Sequence, residues 1–288
     1  MKIAYFTAGT VGAGHQVRGL AIRRGLARSG FSGEFRAFGP EVPFPAARGV
    51  LEREVVSIEG DRIYQDRHLA PASPLAEKLR AYAPDLLLVD LFWAPLYWIL
   101  PQLSCPAWLL LRLCPPVWLQ GPQGMPFRPE PFERIVAIEP IEHPVLTDRL
   151  DPIVVANPED CRPPHALRDL LAHPAGRALA VVAHAGKRGE IDSLREALGE
   201  DGSAAAVLDL FAENATFPAA EWLGGADRIA LGAGYNSFWE AHWLGYAERT
   251  AFVPFQRSID DQARRLRDFR SIPKENGADR LARWILAG

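Results

Sequence analysis

The stretch Ile3-Ala4-Tyr5-Phe6-Thr7-Ala8-Gly9-Thr10-Val11-Gly12-Ala13-Gly14-His15 reads as an apolar strand, a tight glycine turn and the start of a helix. A second stretch, Arg228-Ile229-Ala230-Leu231-Gly232-Ala233-Gly234-Tyr235-Asn236-Ser237, repeats that pattern near the other end of the chain. Such a turn gathers backbone N–H groups at a helix N-terminus, which suits an anion such as a phosphate. Two of them, one near each end, imply two nucleotide-type α/β domains facing one cleft.

Composition agrees with a packed, water-soluble chain. Of 288 residues, 48% are hydrophobic and 23% charged. The net charge of −3 argues against nucleic acid as a partner, which needs a basic surface. Cys105, Cys114 and Cys161 are too few and scattered for a disulfide framework, so a reducing, cytoplasmic setting is expected. Residues 91–111 carry no charge and, with Trp93, Trp98, Trp108 and nearby Trp118, have the length of a membrane span. Pro95, Pro101 and Pro106 interrupt the run, so burial against a sheet is the expected outcome. Peripheral membrane contact through the aromatics stays open as an alternative.

Strand and helix patterns alternate along both halves. Strands are expected at residues 2–6, 34–38, 85–90, 106–111 and 134–138, with helices at 16–29 and 75–82. Residues 40–74 look irregular and contain a long loop. Asp151-Pro152, Asn157-Pro158, Pro163-Pro164 and His173-Pro174 punctuate residues 151–176 and mark the expected connection between domains. Beyond it, strands are expected at 179–183, 205–210, 228–231 and 250–253, and helices at 189–198, 236–244, 261–269 and 278–286. The expected organisation is two doubly wound parallel-sheet domains, 1–156 and 157–288, with the last helix free to cross back to the first domain.

Several chemistries lose ground on motif grounds. Val17 stands where a dinucleotide fingerprint needs its third glycine, and the second strand ends in Gly39-Pro40 rather than an acid. No P-loop lysine motif and no Gly-x-Ser-x-Gly elbow is present. His15 stands at a helix start, where the dipole disfavours imidazolium and keeps the ring able to accept a proton. It is a candidate general base; capping the helix or binding a phosphate are its other readings. Gly234, Asn236 and Ser237 can hold phosphate at the second helix start. Glu240 lies one turn further along the same face, where a carboxylate can accept both hydroxyls of a ribose. It reads alternatively as a charge placed to suit the helix dipole. Asp260-Asp261-Gln262 offers acceptors and donors suited to sugar hydroxyls, or ordinary helix capping.

The run Ala226 through Ala241, followed by Val253-Pro254 and Asp261-Gln262, resembles the donor-binding segment of GT-B glycosyltransferases. It is most similar to the MurG-like group, which contains the N-acetylglucosaminyltransferase of peptidoglycan synthesis. Gly12-Ala13-Gly14-His15-Gln16-Val17-Arg18 resembles the glycine-rich, histidine-bearing loop of the same group. The resemblance implies a GT-B fold and a hexosyl transfer from a nucleotide-diphosphate sugar, with UDP the implied nucleotide, to an unidentified acceptor. Gly12, Gly14, Gly234, Asn236 and Ser237 would hold the diphosphate, Glu240 the ribose, and Asp261 and Gln262 the donor sugar. His15 would sit at the reacting centre. Ala185-Gly186-Lys187-Arg188 stands where the family has a second phosphate loop, so Lys187 and Arg188 join the phosphate candidates; His184 beside them reads as structural. Residues 214–217 are the expected base-recognition segment.

Transfer with inversion is expected. No Asp-x-Asp motif is present, so no obligatory metal is expected, nor any cofactor beyond the nucleotide sugar as co-substrate. The acceptor could be a small molecule, a lipid or a glycan. Two alternatives remain: a nucleotide-sugar hydrolase in which His15 activates water, and a non-catalytic sugar-nucleotide-binding protein.

Overall fold

The computed structural model describes residues 1–9, 12–58, 62–122, 124–209, 212 and 215–288. Among them the first half runs β1 (Lys2–Phe6), α1 (Gly14–Arg28), β2 (Glu34–Gly39), β3 (Arg53–Val55), α2 (Pro74–Tyr82), β4 (Leu86–Asp90), β5 (Ala107–Leu111), α3 (Val117–Gln120), β6 (Arg134–Ala137) and β7 (Asp148–Arg149). The second half holds α4 (Pro164–Leu170), β8 (Ala180–His184), α5 (Ile191–Ala197), β9 (Ala206–Asp209), β10 (Arg228–Gly232), α6 (Tyr235–Trp243), β11 (Thr250–Val253), α7 (Gln262–Asp268) and α8 (Gly277–Ala287).

The strands form two sheets, each with every pairing parallel. The first has seven strands in the order β3-β2-β1-β4-β5-β6-β7, the second four in the order β11-β10-β8-β9. Central strands β4 and β5 are buried at every position, as expected of apolar runs covered on both faces. In each sheet chain order reverses once: between β1 and β4, and between β8 and β10. Such a reversal splays the loops at the carboxyl ends of the two strands and leaves a crevice there.

Edge strands β3 and β7 lie outside the expected set. Arg53-Glu54-Val55 and Asp148-Arg149 carry too little apolar pattern to announce a strand; pairing with β2 and β6 holds them. The proline-punctuated segment is packed at its start, because Ile153, Val154, Val155 and Ala156 are buried in the core with α1, α6 and α8. Helix α8 packs on α1 of the first half, where Arg28 pairs with Asp279 at 2.7 Å. Trp93 and Trp108 are buried against the first sheet, and Trp118 donates its indole N–H to the Leu91 carbonyl at 3.2 Å. No helix among the described residues is long and apolar enough to cross a membrane.

Candidate active site

Both glycine turns open onto a single cleft of about 850 Å³ at the carboxyl ends of the two sheets. Side chains cap α2, α7 and α8: Ser73, Asp261 and Asn276 each accept a backbone N–H. Helices α1 and α6 instead start at Ala13 and Gly234 with no side-chain cap and no acid in the first turn. Helices α3, α4 and α5 lack a side-chain cap too; what sets α1 and α6 apart is that each follows a glycine turn on the cleft wall, where an anion can meet the leading N–H groups.

His15 lies at the foot of α1, its ring over Gly9. A Cβ on Gly9 would stand 2.3 Å from His15 Cδ2 and 2.8 Å from Nε2, so only glycine lets the imidazole lie there. Nδ1 is 2.6 Å from Asp90 Oδ2, at the end of β4. Asp90 is fully buried; it accepts from the Tyr5 hydroxyl and, at 2.9 Å, from Arg18 Nε. Burial alone would raise its pKa, but Arg18 and His15 hold it well below the usual carboxylate range. An anionic Asp90 fixes the imidazole tautomer with the proton on Nδ1. The 3.1 Å approach of Arg18 Nη2 to Nδ1 is therefore a contact between two donors. Nε2 is left as a lone pair with no hydrogen-bond partner among the described residues. Burial first, and Arg18 and Arg112 with it, lowers the His15 pKa against the pull of Asp90, so the ring is neutral at pH 7.

The opposite wall comes from the second half. Asn236 Nδ2 donates to the Gly14 carbonyl at 2.7 Å, and Arg18 Nη1 reaches Asn236 Oδ1 at 3.4 Å, so Asn236 clasps the two glycine turns together. Gly12, Gly14, Gly234, Ser237 and Lys187 line the cleft with it. Arg188 is exposed outside it, 3.6 Å from Asp209. Glu240 lines a smaller cavity of about 90 Å³ that shares Gly14, His184, Asn236 and Ser237 with the cleft. Its Oε1 is buried with no hydrogen-bond partner, and burial pushes its carboxyl up to about 7. Phe217 lines the same cavity, whereas Asn214 lies outside the described residues.

Asp261 caps α7 by accepting from Arg264 N at 3.0 Å, and its neighbour Asp260 faces the cleft instead. Gln262 lines the cleft near Gly234, its Oε1 taken by Phe255 N at 2.9 Å and its Nε2 3.2 Å from Asp260. Asp260 belongs to a buried chain of four charges. Arg112, just past β5, donates to it at 2.6 Å; Arg265 donates to it at 2.7 Å and to both oxygens of Glu139 at 3.0 Å. Arg112 and Arg265 keep Asp260 ionised below the usual range despite its burial.

Asp90 and Arg112 are the residues that motif reading passed over; Asp260 reads together with Asp261 and Gln262 in the sequence, without its two arginine partners. Asp90 ends the apolar strand Leu86-Leu87-Leu88-Val89, and Arg112 follows Trp108-Leu109-Leu110-Leu111. A charge at the carboxyl end of a buried parallel strand was a readable signal, because crevices form there. The far wall of the cleft is aromatic. Phe92 lies 5.1 Å from the His15 ring and meets Trp118 edge-on at 5.4 Å; Trp93, Pro95, Val117 and Ile58 continue it.

No family model matches the chain, and no curated protein sequence matches it. Solved structures do. The spinosyn rhamnosyltransferase SpnG superposes with a TM-score of 0.57 at 16% identity, over 100% of this chain and 92% of that one. MurG of Acinetobacter baumannii gives 0.54 at 14% identity, over 92% and 82%. UGT2 of Phytolacca americana, complexed with UDP-2fluoro-glucose and pterostilbene, gives 0.54 at 14% identity, over 99% and 88%. Two parallel α/β sheets, a shared cleft at their carboxyl ends and these superpositions together make the architecture of this chain that of the GT-B glycosyltransferases.

Proposed function

We propose that the chain transfers a sugar from a nucleotide-diphosphate sugar to a hydroxyl on an apolar acceptor. The observation that carries this reading is the unpartnered Nε2 of a neutral His15, held by Asp90 beside an aromatic wall and across from an uncapped helix start. The diphosphate sits at Gly234 and Ser237, with Lys187 supplying charge from the neighbouring loop. The ribose reaches Glu240, whose unpartnered oxygen is a ready acceptor for its hydroxyls. Gln262 and Asp260 meet the sugar hydroxyls. The acceptor lies along Phe92 and Trp118 with its hydroxyl at His15 Nε2, and a UDP-sugar is the donor that the superposition on UGT2 favours.

In the reaction Nε2 takes the acceptor proton as its oxygen attacks the anomeric carbon, and Asp90 stabilises the imidazolium that results. Attack from the face opposite the diphosphate inverts the centre. The uncapped N-terminus of α6 and Lys187 receive the charge that builds on the leaving group, a role that needs no metal.

The test combines thermal shift against UDP- and dTDP-sugars with mass spectrometry of donor mixed with hydroxylated aromatic acceptors. A conjugate formed only in the presence of an acceptor supports transfer. Donor consumed equally without an acceptor identifies a hydrolase. Absence of both stabilisation and turnover at millimolar donor sinks the reading.

A further inference from the structure

The cleft holds a second histidine–carboxylate pair. His184 ends β8, next to the end of β10, at the chain reversal of the smaller sheet. Its Nε2 lies 2.6 Å from Glu190 Oε2. Glu190 also receives Arg257 at 2.7 and 2.6 Å and the Lys187 backbone N–H at 3.2 Å. Arg257 and His184 keep Glu190 ionised, below the ordinary glutamate range, so the ring carries its proton on Nε2. Nδ1 then presents a lone pair with no hydrogen-bond partner among the described residues.

Two glycines make room for this ring. A Cβ on Gly232 would stand 3.2 Å from His184 Cε1 and 3.3 Å from Nδ1, and one on Gly186 would stand 2.3 Å from Nε2. The imidazole is thus wedged between Gly186, just past β8, and Gly232 at the end of β10, with Nδ1 on the Gly232 side, and Phe255 packs against it at 5.3 Å. A lone pair aimed at a phosphate is repulsive, whereas an N–H aimed there is a charge-assisted hydrogen bond. Anion binding and protonation of this nitrogen are therefore coupled.

Accepting that the cleft takes a nucleotide-diphosphate sugar, we propose that Nδ1 of His184 takes up a proton from water when the donor binds and hydrogen-bonds the departing diphosphate. When the bond between the anomeric carbon and the phosphate oxygen breaks, its electron pair stays on that oxygen and the His184 N–H is there to receive it. The acceptor oxygen makes the new bond to the anomeric carbon, and its proton goes to His15. His184 thus supplies in the second half the positive charge that a metal-free site needs beside the leaving group. In the free protein burial holds the ring neutral against the pull of Glu190, with Arg257 adding to burial. Among the described residues, the charged or titratable groups around it are Glu190, Arg257, the exposed Lys187, Asp209 in register beside it on β9 and, across the smaller cavity, Glu240 and Tyr246.

Calorimetric titration with UDP-glucose and dTDP-glucose at pH 7.5, in buffers of different ionisation enthalpy, counts the protons exchanged. Both phosphates of these ligands are esterified and fully ionised at that pH, so every proton counted belongs to the protein. Wild type should take up more protons than His184→Gln, by a difference approaching one per ligand. Any proton that Glu240 gives up is common to both proteins and cancels. Binding with the same proton count in both proteins overturns the inference and leaves the donor reading standing. No binding of either ligand overturns both. Nitrogen-15 histidine spectra read the same ring without a variant, should His184→Gln not fold. A ring protonated on Nε2 must gain a proton on Nδ1 when ligand is added, and spectra without that change overturn the inference.

Discussion

Replacing Glu240 with glutamine should stabilise the ligand-free protein at pH 8 and change it little at pH 5. Glu240 is 7% exposed, its Oε1 has no partner, and burial lifts its carboxyl from 4.5 to about 7; nearby Glu221 adds to the rise and a Val155 backbone hydrogen bond opposes it. The folded chain therefore keeps this proton to a higher pH than the unfolded chain does. The group's contribution is fully present below the unfolded value and is lost as pH rises through about 7. At 1.36 kcal/mol per pH unit, the loss by pH 8 amounts to about 3 kcal/mol. For a chain of this length that corresponds to a Tm difference of roughly 5 °C between Glu240→Gln and wild type. Differential scanning calorimetry of both proteins at pH 5 and pH 8 measures it. If the variant melts with wild type at both pH values, the carboxyl is not held in an unfavourable charged state and the reasoning fails. The same variant tests the site: a residue that binds ribose should lose nucleotide-induced stabilisation while it gains intrinsic stability.

Other perturbations separate the remaining roles. His15→Ala should leave nucleotide affinity within a few-fold and lower transfer by about 10²–10⁴. Since burial holds His15 below the ordinary histidine range, the wild-type rate should stay level down to pH values under about 6.5 before falling. Phe92→Ala should raise the KM for an aromatic acceptor and leave donor binding unchanged, as read by steady-state kinetics and thermal shift together. Arg265→Met leaves Glu139 a buried acid without its cation and Asp260 with Arg112 alone, and should cost about 3–5 kcal/mol in urea denaturation.

The fold was legible because its signals are local. Glycine turns after apolar strands and unbroken runs such as Leu86-Leu87-Leu88-Val89 point to parallel α/β units before any pairing is known. Edge strands were not legible, since Asp148-Arg149 becomes a strand only through its neighbour β6. The lining of the candidate site was legible where a turn announces it, at His15, Gly234 and Ser237. The role of a lone charge was hidden where its partner lies far along the chain, even where its place at a strand end was readable. Asp90 meets His15 across 75 positions and Asp260 meets Arg112 across 148, and no spacing rule reaches that far. The choice between Asp260 and Asp261 illustrates the same limit: both suit a helix start, and only packing shows which one caps α7 and which faces the cleft.

The chain of Arg112, Asp260, Arg265 and Glu139 crosses the seam between the two sheets beside the apolar cluster that includes Ile138, Tyr235 and Trp239. Grease would hold two surfaces together as firmly, but it tolerates sliding and rotation. A guanidinium that grips a carboxylate through fixed N–H directions tolerates neither. One guanidinium from each half, Arg112 and Arg265, thereby keys the two halves beside the gap between the imidazole after β1 and the turn before α6. If the proposed transfer holds, a change of acceptor or donor sugar falls to the loops around the cleft and leaves the seam as it is.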